Sequence, residues 1–266
     1  MKAYALATIA ICIAATRDAA AHHAEMQSGI AFAEPRTLVG LGVEGTTFNL
    51  PVARGTFLTT TVFGAWAPLP ALAIGARAPF HALSLGDRRD AGVGDVELTA
   101  RVRIVATEHV VVSLAASLEV PTGNDEKGLG AGHFGLAPAL VASYSTAYWT
   151  VFGSIGDALH LAHDEHKHEA EHAHDHVMYV NPHSDHELAY RLGVLIEPRR
   201  SFLLGAQLVG ATVLAKEDRG ATFVAGGPQI ALRLARNSQL VFSWLVGVTG
   251  ERRFDERASV TMQTMF

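Results

Sequence analysis

The sequence predicts an all-β fold, a transmembrane antiparallel up-and-down β-barrel of about twelve strands. Apolar and polar residues alternate along many short segments, and short and long connections alternate between those segments. The chain is rich in glycine, with 25 residues, and after its first residues it has no apolar run long enough for a membrane-spanning helix. The alternation is the main evidence, because a period of two places successive side chains on opposite faces of a strand.

The clearest alternation lies between Gly94 and Gly123. From Asp95 to Arg103 the odd positions carry polar or charged residues and the even positions carry apolar ones. After a short polar break, a second alternating segment runs from Val110 to Val120. Two such segments joined by a tight turn predict an antiparallel hairpin. A soluble sandwich would show the same alternation, so the termini, the connections and the number of strands decide between the two.

The first residues are typical of a secretory signal. Residues 1–21 combine a positive start, a short apolar run and an Ala-rich end, and we expect cleavage after Ala21. The only cysteine, Cys12, lies in this segment, so the mature chain is expected to have no disulfide and no Cys-ligated metal. Residues 22–35 have no periodicity, and we expect them to form a periplasmic tail, either a lead-in or a plug.

From residue 36 to 266 the sequence predicts the barrel itself. Each strand-like segment is close to the roughly 9 to 11 residues that a tilted membrane strand needs. The segments are Arg36–Phe48, Thr56–Trp66, Ala71–Leu83, Gly94–Ala106, Val110–Val120, Phe134–Tyr144, Tyr148–Leu159, Glu187–Glu197, Ser201–Val213, Ala221–Ala235, Leu240–Thr249 and Arg257–Phe266.

The connections between these segments alternate in length. The predicted tight turns are 67–70, 107–109, 145–147, 198–200 and 236–239, and the longer loops between them include 84–93, 121–133 and 160–186. Outer-membrane barrels have short periplasmic turns and longer extracellular loops. The last strand ends in Phe266, and a terminal aromatic residue is typical of barrels that the assembly machinery receives. With twelve strands, Phe266 lies on the same side of the membrane as the tight turns. The alternative is a soluble secreted sandwich or lipocalin-like barrel.

Two motifs carry a resemblance to a known family. The segments GVGDVELTARVRI and SLAASLEVPTGNDEKGLGAG, followed by the strand from Phe134, resemble the outer-membrane family named for the MetA-pathway of phenol degradation, whose members are often called transporters. In that family a Gly-Asp pair opens a strand whose partner ends in Pro-Thr-Gly; here these are Gly94-Asp95 and Pro121-Thr122-Gly123. The resemblance covers most of the mature chain and implies a barrel that passes small molecules, with aromatic ones as candidates.

A histidine-rich loop, residues 160–186, departs from the family pattern, and we expect it to be extracellular. Neutral imidazole binds divalent transition metals, and the interleaved carboxylates can orient or join the ligands. We expect weak binding of several Zn, Ni or Cu ions; the alternatives are a solvated loop without ligand and a pH-responsive gate. The candidate ligands are His160, His163, His166, His168, His172, His174, His176, His183 and His186.

The same segment contains an apparent hydrolase motif. His168-Glu169-Ala170-Glu171-His172 matches H-E-x-x-H, which on a rigid helix would indicate a zinc hydrolase. In a segment this rich in His and Glu the match is expected by chance, and no buried scaffold would exclude water from it. We therefore expect no enzymatic activity and no required cofactor.

Charged residues on the polar faces of the strands are predicted to line the lumen, where opposite charges compensate one another. They are Asp95, Glu97, Arg101, Arg103, Glu119, Arg191, Glu197, Arg233 and Arg257. A barrel of this size holds a narrow channel or is filled by its own side chains. We expect a monomer in the bacterial outer membrane that passes a small solute, with membrane lipid and the assembly machinery as partners. The net charge of -5 argues against nucleic acid. The alternative function is a non-conducting metal-binding or structural barrel.

Overall fold

The chain forms an all-β structure. A computed structural model describes residues 33–49, 54–161, 186–199, 201–215, 219–235, 237–249 and 253–266. The strands are β1 (Leu38–Asn49), β2 (Arg54–Leu69), β3 (Leu72–Leu85), β4 (Arg88–Val93), β5 (Val96–Ala106), β6 (Val110–Val120), β7 (Phe134–Ser145), β8 (Trp149–Leu161), β9 (His186–Arg199), β10 (Phe202–Val213), β11 (Thr222–Arg233), β12 (Ser238–Gly247) and β13 (Glu256–Met265). In these ranges no helix has both the length and the apolar character needed to cross a membrane.

The strands close into a barrel. Consecutive strands pair antiparallel except β4 and β5, which both pair with β3, and β1 also pairs with β13, from Leu38 opposite Met265 to Thr47 opposite Glu256. β4 and β5 follow one another along β3, so the 13 strands make a closed antiparallel barrel of 12. This confirms the predicted barrel. Closure gives every strand of the wall except β4 two neighbours, whereas β4, at the loop end, pairs with β3 alone.

The connections separate the barrel into two ends. At the turn end, strands are joined by residues 70–71, 107–109, 146–148, 200–201 and 234–237. The chain enters β1 and leaves β13 at this end too, where the amide N of Phe266 donates to the carbonyl of Thr37. At the loop end, strands are joined by residues 50–53, 86–87, 121–133, 162–185, 214–221 and 248–255. The predicted alternation of connection lengths is present except at 86–87 and at 50–53, which has as few residues as the turn-end connection 234–237.

The prediction of a long loop at 84–93 is wrong. β3 continues to Leu85, the chain turns at Gly86 with a φ of 56°, and β4 returns along β3 as far as Val93. The side chains of β4 are mostly exposed on both faces. The segment therefore lacks the contrast between a buried and an exposed face from which a strand is recognised in a sequence.

The wall has an apolar outside and a polar inside. In β1, Val39 and Leu41 are 53% and 49% exposed on the outer face, whereas Glu44 is 2% exposed on the inner face. Other strands follow the same alternation, so large apolar side chains cover the outer wall. Near the turn end the rings of Tyr144 and Trp149 lie 5.4 Å apart, in the position expected of an interfacial aromatic girdle. This polarity is suited to lipid outside the barrel and the reverse of a soluble protein.

In β1, Gly40 has no side chain, and this lets the ring of Phe63 lie across the inner wall. A Cβ at Gly40 would lie 2.3 Å from the Phe63 ring and 2.8 Å from the carbonyl O of Met262. Two positions further along the same inner face, a Cβ at Gly42 would come no closer than 3.4 Å to a neighbour. The ring of Phe63 therefore requires glycine at position 40 but not at 42.

This difference predicts the effect of two alanine substitutions. Gly40→Ala should lower the free energy of unfolding by about 1 to 3 kcal/mol, because the ring and a backbone carbonyl must shift. Gly42→Ala, the matched control, should raise it by up to about 1 kcal/mol through the less flexible unfolded chain. Urea unfolding of the refolded barrel in detergent measures both values. Equal effects would contradict the close packing at position 40.

Candidate functional site: the barrel lumen

Paired charges occupy the inner wall away from the two mouths. Arg77 Nη1 lies 3.2 Å from Glu97 Oε2, and Ser117 Oγ donates to Glu97 Oε1 at 2.6 Å. The side chains of Arg77 and Glu97 are 3% and 4% exposed. The pairing in β3 and β5 follows from their register, which sets Arg77 directly opposite Glu97. Because the two charges are nearly inaccessible to water, each depends on the other for compensation.

A second buried pair joins the strands that close the barrel. Arg257 Nε in β13 lies 3.3 Å from Glu44 Oε1 in β1 and donates to Thr46 Oγ1 at 3.2 Å. The guanidinium carbon of Arg257 lies 3.8 Å from the centre of the Phe254 ring, a cation–π contact. These contacts link the inner wall at the closing seam to the connection between β12 and β13.

An apolar cluster lies inside the barrel near the loop end; we call it the loop-end apolar cluster. Most of its members come from strand ends, but Leu129 comes from the connection 121–133 and Phe254 from the connection 248–255. The rings of Phe223 and Phe254 meet edge to face at 5.0 Å. The members are Phe48, Phe57, Leu83, Leu129, Val209, Phe223, Ala225, Leu245 and Phe254.

At the turn end, the first described residues of the chain lie against the inner wall. Ala33 packs on Val111 and Val141, and its carbonyl accepts a hydrogen bond from Ser113 Oγ. Glu34 bridges two arginines, with Arg103 Nη1 2.8 Å from Oε1 and Arg36 Nη2 2.8 Å from Oε2. Charged side chains therefore gather at this mouth, where they are partly exposed.

The nine predicted lumen residues lie at inward or partly buried positions. The buried ones are Asp95, Glu97, Glu119, Arg191 and Arg257, and the partly buried ones are Arg101, Arg103, Glu197 and Arg233. Glu197 and Arg233 form a two-point ion pair at 3.0 and 3.2 Å. Asp95 differs from the rest, because its carboxylate binds backbone amides of the connection 121–133. Their role in lining a solute path stays a prediction.

Sequence reasoning missed several inward charges. Glu44 and Arg77, partners of Arg257 and Glu97, were absent from the predicted set, as were Glu187 and Arg253, which form an ion pair. Glu44 and Arg77 occupy the polar phase of the alternation in β1 and β3, so the same period of two could have found them. Arg253 belongs to a connection, where no periodicity indicates direction.

Most of the predicted metal ligands lie outside the described residues: His163, His166, His168, His172, His174, His176 and His183. The apparent hydrolase motif lies there too. His160 belongs to β8, and His186, the first residue of β9, has its Nε2 2.8 Å from Asp157 Oδ1. Among the residues that the structure describes, no three His, Cys, Asp or Glu side chains come together as a possible metal site.

Comparison with known proteins identifies the family. The family described as "Putative MetA-pathway of phenol degradation" matches residues 42–259, which is most of the chain. The chain belongs to this family. The resemblance based on Gly94-Asp95 and Pro121-Thr122-Gly123 is thereby confirmed. No curated protein sequence matches the chain.

Solved structures share the fold. An outer-membrane channel from Pseudomonas putida F1 is 13% identical with a TM-score of 0.66, and the match covers 87% of this chain and 96% of that one. The KdgM porin is 9% identical with a TM-score of 0.54, covering 86% and 99%, and the NanC porin is 9% identical with a TM-score of 0.53, covering 86% and 98%. Identities this low show the fold alone. With the apolar outer wall and the family, they support a location in the bacterial outer membrane.

The buried pair Arg77–Glu97 yields a stability prediction. Arg77→Met should lower the free energy of unfolding by about 3 to 5 kcal/mol, because Glu97 would keep a buried charge without its partner. Arg103→Met, which breaks the more exposed pair with Glu34, should cost about 1 kcal/mol or less. Adding Glu97→Gln to Arg77→Met should restore most of the loss. Urea unfolding of the unsubstituted protein, these three variants and Glu97→Gln alone measures this, and additive losses in the double variant would contradict mutual compensation.

Proposed function

We propose that this protein carries small solutes through the lumen of its barrel across the outer membrane. The observation on which the proposal depends is the reversed polarity of the wall, with apolar side chains outside and paired charges such as Arg77–Glu97 inside. Membership in a family whose shared description refers to phenol degradation supports passage of small molecules. The alternative is a non-conducting structural or metal-binding barrel.

The composition of the lumen favours small, largely apolar solutes, aromatic ones included. The loop-end apolar cluster offers the rings of Phe48, Phe57, Phe223 and Phe254, which suit an aromatic solute by edge or face contact. Beyond it, the solute meets charged side chains with little water-accessible surface. A wide, water-filled pore does not fit such low exposure, so transfer is facilitated and requires inner side chains to move.

The orientation follows the construction rule of outer-membrane barrels, with short turns in the periplasm. The turn end then faces the periplasm, together with Phe266, which the assembly machinery receives. Residues 1–21 are removed as a signal, and residues 22–35 form a periplasmic tail that leads to the contacts of Glu34 at the turn-end mouth. The loop end, including the histidine-rich segment, faces outward, and the protein acts as a monomer.

Charge substitutions in the lumen test conduction. In planar bilayers the protein should conduct potassium chloride. Glu119→Gln should shift the reversal potential towards anion preference, and Arg101→Gln towards cation preference, because each removes a fixed charge at a partly or fully buried inner position. Glu108→Gln, the same change in an exposed turn, is the matched control and should leave selectivity unchanged.

The result that would contradict the proposal is the absence of any measurable transport. If the folded protein neither conducts ions in bilayers nor admits small solutes in liposome swelling, the channel function fails and the non-conducting alternative holds. Folding is verified for every variant by heat-dependent migration on a denaturing gel, so a silent variant is not mistaken for an unfolded one.

We also propose that the segment 160–186 binds Zn, Ni or Cu ions. Its composition supports this, as does the contact between His186 Nε2 and Asp157 Oδ1 at its base, since carboxylates orient the imidazoles that bind metals. Binding there would concentrate metal at the outer mouth, for uptake or for control of the path.

Titration calorimetry with nickel or zinc measures this binding. The full chain should bind several ions, and a variant with residues 162–185 replaced by a Gly-Ser linker should lose them while keeping the barrel folded. A second variant replaces only the seven histidines between 162 and 185 with glutamine and keeps the carboxylates and the loop length, so it tests whether the imidazoles are the ligands. It should lose binding as well. Unchanged stoichiometry in both variants would assign the metal to another part of the chain, and no binding by the full chain would contradict the proposal outright.

A further inference from the structure

The two motifs on which the resemblance to the family is based lie against each other in the structure. Gly94 and Asp95 fill the gap between β4 and β5, and Pro121-Thr122-Gly123 follows β6. Thr122 Oγ1 donates to the carbonyl of Gly94 at 2.9 Å and accepts from the amide of Val96 at 2.9 Å. One hydroxyl thus bridges the interruption in the wall.

Asp95 ties down both ends of the connection 121–133. Its Oδ1 accepts from the amide of Gly123 at 2.8 Å, and its Oδ2 accepts from the amide of Ala131 at 2.5 Å. The residue is 5% exposed. Hydrogen bonds to an ionised carboxylate are about twice as strong as neutral ones, so this side chain fixes the path of the connection. We call these contacts the Asp95 clip.

The clip requires glycine on both sides. A Cβ at Gly130 would lie 2.7 Å from Asp95 Oδ1 and 2.8 Å from the Cα of Gly123. A Cβ at Gly123 would lie 2.8 Å from the Cα of Gly130 and 3.0 Å from Asp95 Oδ1. The backbones at Gly123 and Gly130 therefore approach each other as closely as their atoms permit.

The clipped connection sends a single large apolar side chain into the lumen. Residues 124–127 are exposed, whereas Leu129 is 1% exposed inside the loop-end apolar cluster. Leu129 is the only large apolar side chain between Pro121 and Phe134, so the connection has no apolar face of its own to bury. Its inward path is held by the Asp95 clip, by this one apolar contact and by hydrogen bonds within the connection, such as that from the amide of Leu129 to the carbonyl of Asn124 at 2.9 Å.

We propose that Leu129 is the side chain that sets the width of the solute path at the loop end, and that Asp95 is the positioning residue that holds it there. This inference rests on the proposed channel function. The other members of the cluster except Phe254 belong to strands, whose position the closed ladder fixes. Leu129 is on a connection, so its position can change without breaking strand pairing.

The test compares substitutions within the cluster. Single-channel conductance in potassium chloride and liposome swelling with glycine and tryptophan measure the width of the path with probes that cross bilayers poorly. Leu129→Ala should raise the conductance and raise the rate for tryptophan severalfold relative to glycine. Leu83→Ala makes the same chemical change on strand β3 and is the matched control, with a much smaller expected effect.

Asp95 is tested in the same assays. Asp95→Asn should change conductance and the tryptophan-to-glycine ratio in the same direction as Leu129→Ala, because the amide nitrogen cannot accept a hydrogen bond from a backbone amide. The double variant should show little further change, since both substitutions act on one constriction. Asp125→Asn, an exposed carboxylate on the same connection, is the matched control and should behave as the unsubstituted protein.

A labelling experiment separates the clip from transport. In a Cys12→Ser background, Leu129→Cys should react slowly with a membrane-impermeant maleimide, and addition of Asp95→Asn should speed the reaction severalfold. Equal labelling rates would overturn the positioning role of Asp95. Equal effects of Leu129→Ala and Leu83→Ala on solute size would overturn the role of Leu129. If every variant is silent to ions and solutes, the channel function and the role of Leu129 fail together, and labelling still decides the role of Asp95.

Discussion

Backbone hydrogen bonding in hydrocarbon is the constraint on which the rest of this structure depends. An unpaired amide or carbonyl group costs several kcal/mol in lipid, so a sheet that enters a membrane must have no open edge. The ladder between β1 and β13 closes the sheet into a barrel, with paired positions from Leu38–Met265 to Thr47–Glu256. Once the ladder is closed, each strand has one face towards lipid and one towards a confined interior. The apolar residues must then lie outside and the polar ones inside.

The interior creates a second requirement, which is charge compensation, because the charged side chains on the inner face have little contact with water. Arg77 with Glu97 and Arg257 with Glu44 satisfy it by pairing across neighbouring strands, and hydroxyls of Ser117 and Thr46 provide further bonds. Arg257 also uses the ring of Phe254. Such pairs stabilise the barrel little compared with apolar residues, but breaking one is costly. They keep the inner wall polar and fix where its charges lie.

The two mouths of the barrel use different chemistry. At the turn end, Glu34 joins Arg36 and Arg103 in a partly exposed ionic cluster. At the loop end, apolar side chains fill the interior, and two of them come from connections rather than strands. Strands are held by the ladder, whereas a connection is held only by its own contacts. For the connection 121–133, the Asp95 clip supplies two such contacts, which join its two ends.

The sequence by itself determined the strands and their polarity. The period of two in segments such as 96–106 and 110–120 is a local property, and closure turns it directly into an outer and an inner face. It failed at 84–93, where β4 has no buried face to produce the contrast. The tertiary structure alone decided which inward charges meet. Register sets Arg77 opposite Glu97, and closure brings Arg257 of β13 next to Glu44 of β1, although these strands lie far apart in the chain. It also decided that Leu129 points inward, since the direction of a connection depends on distant partners that no local period records.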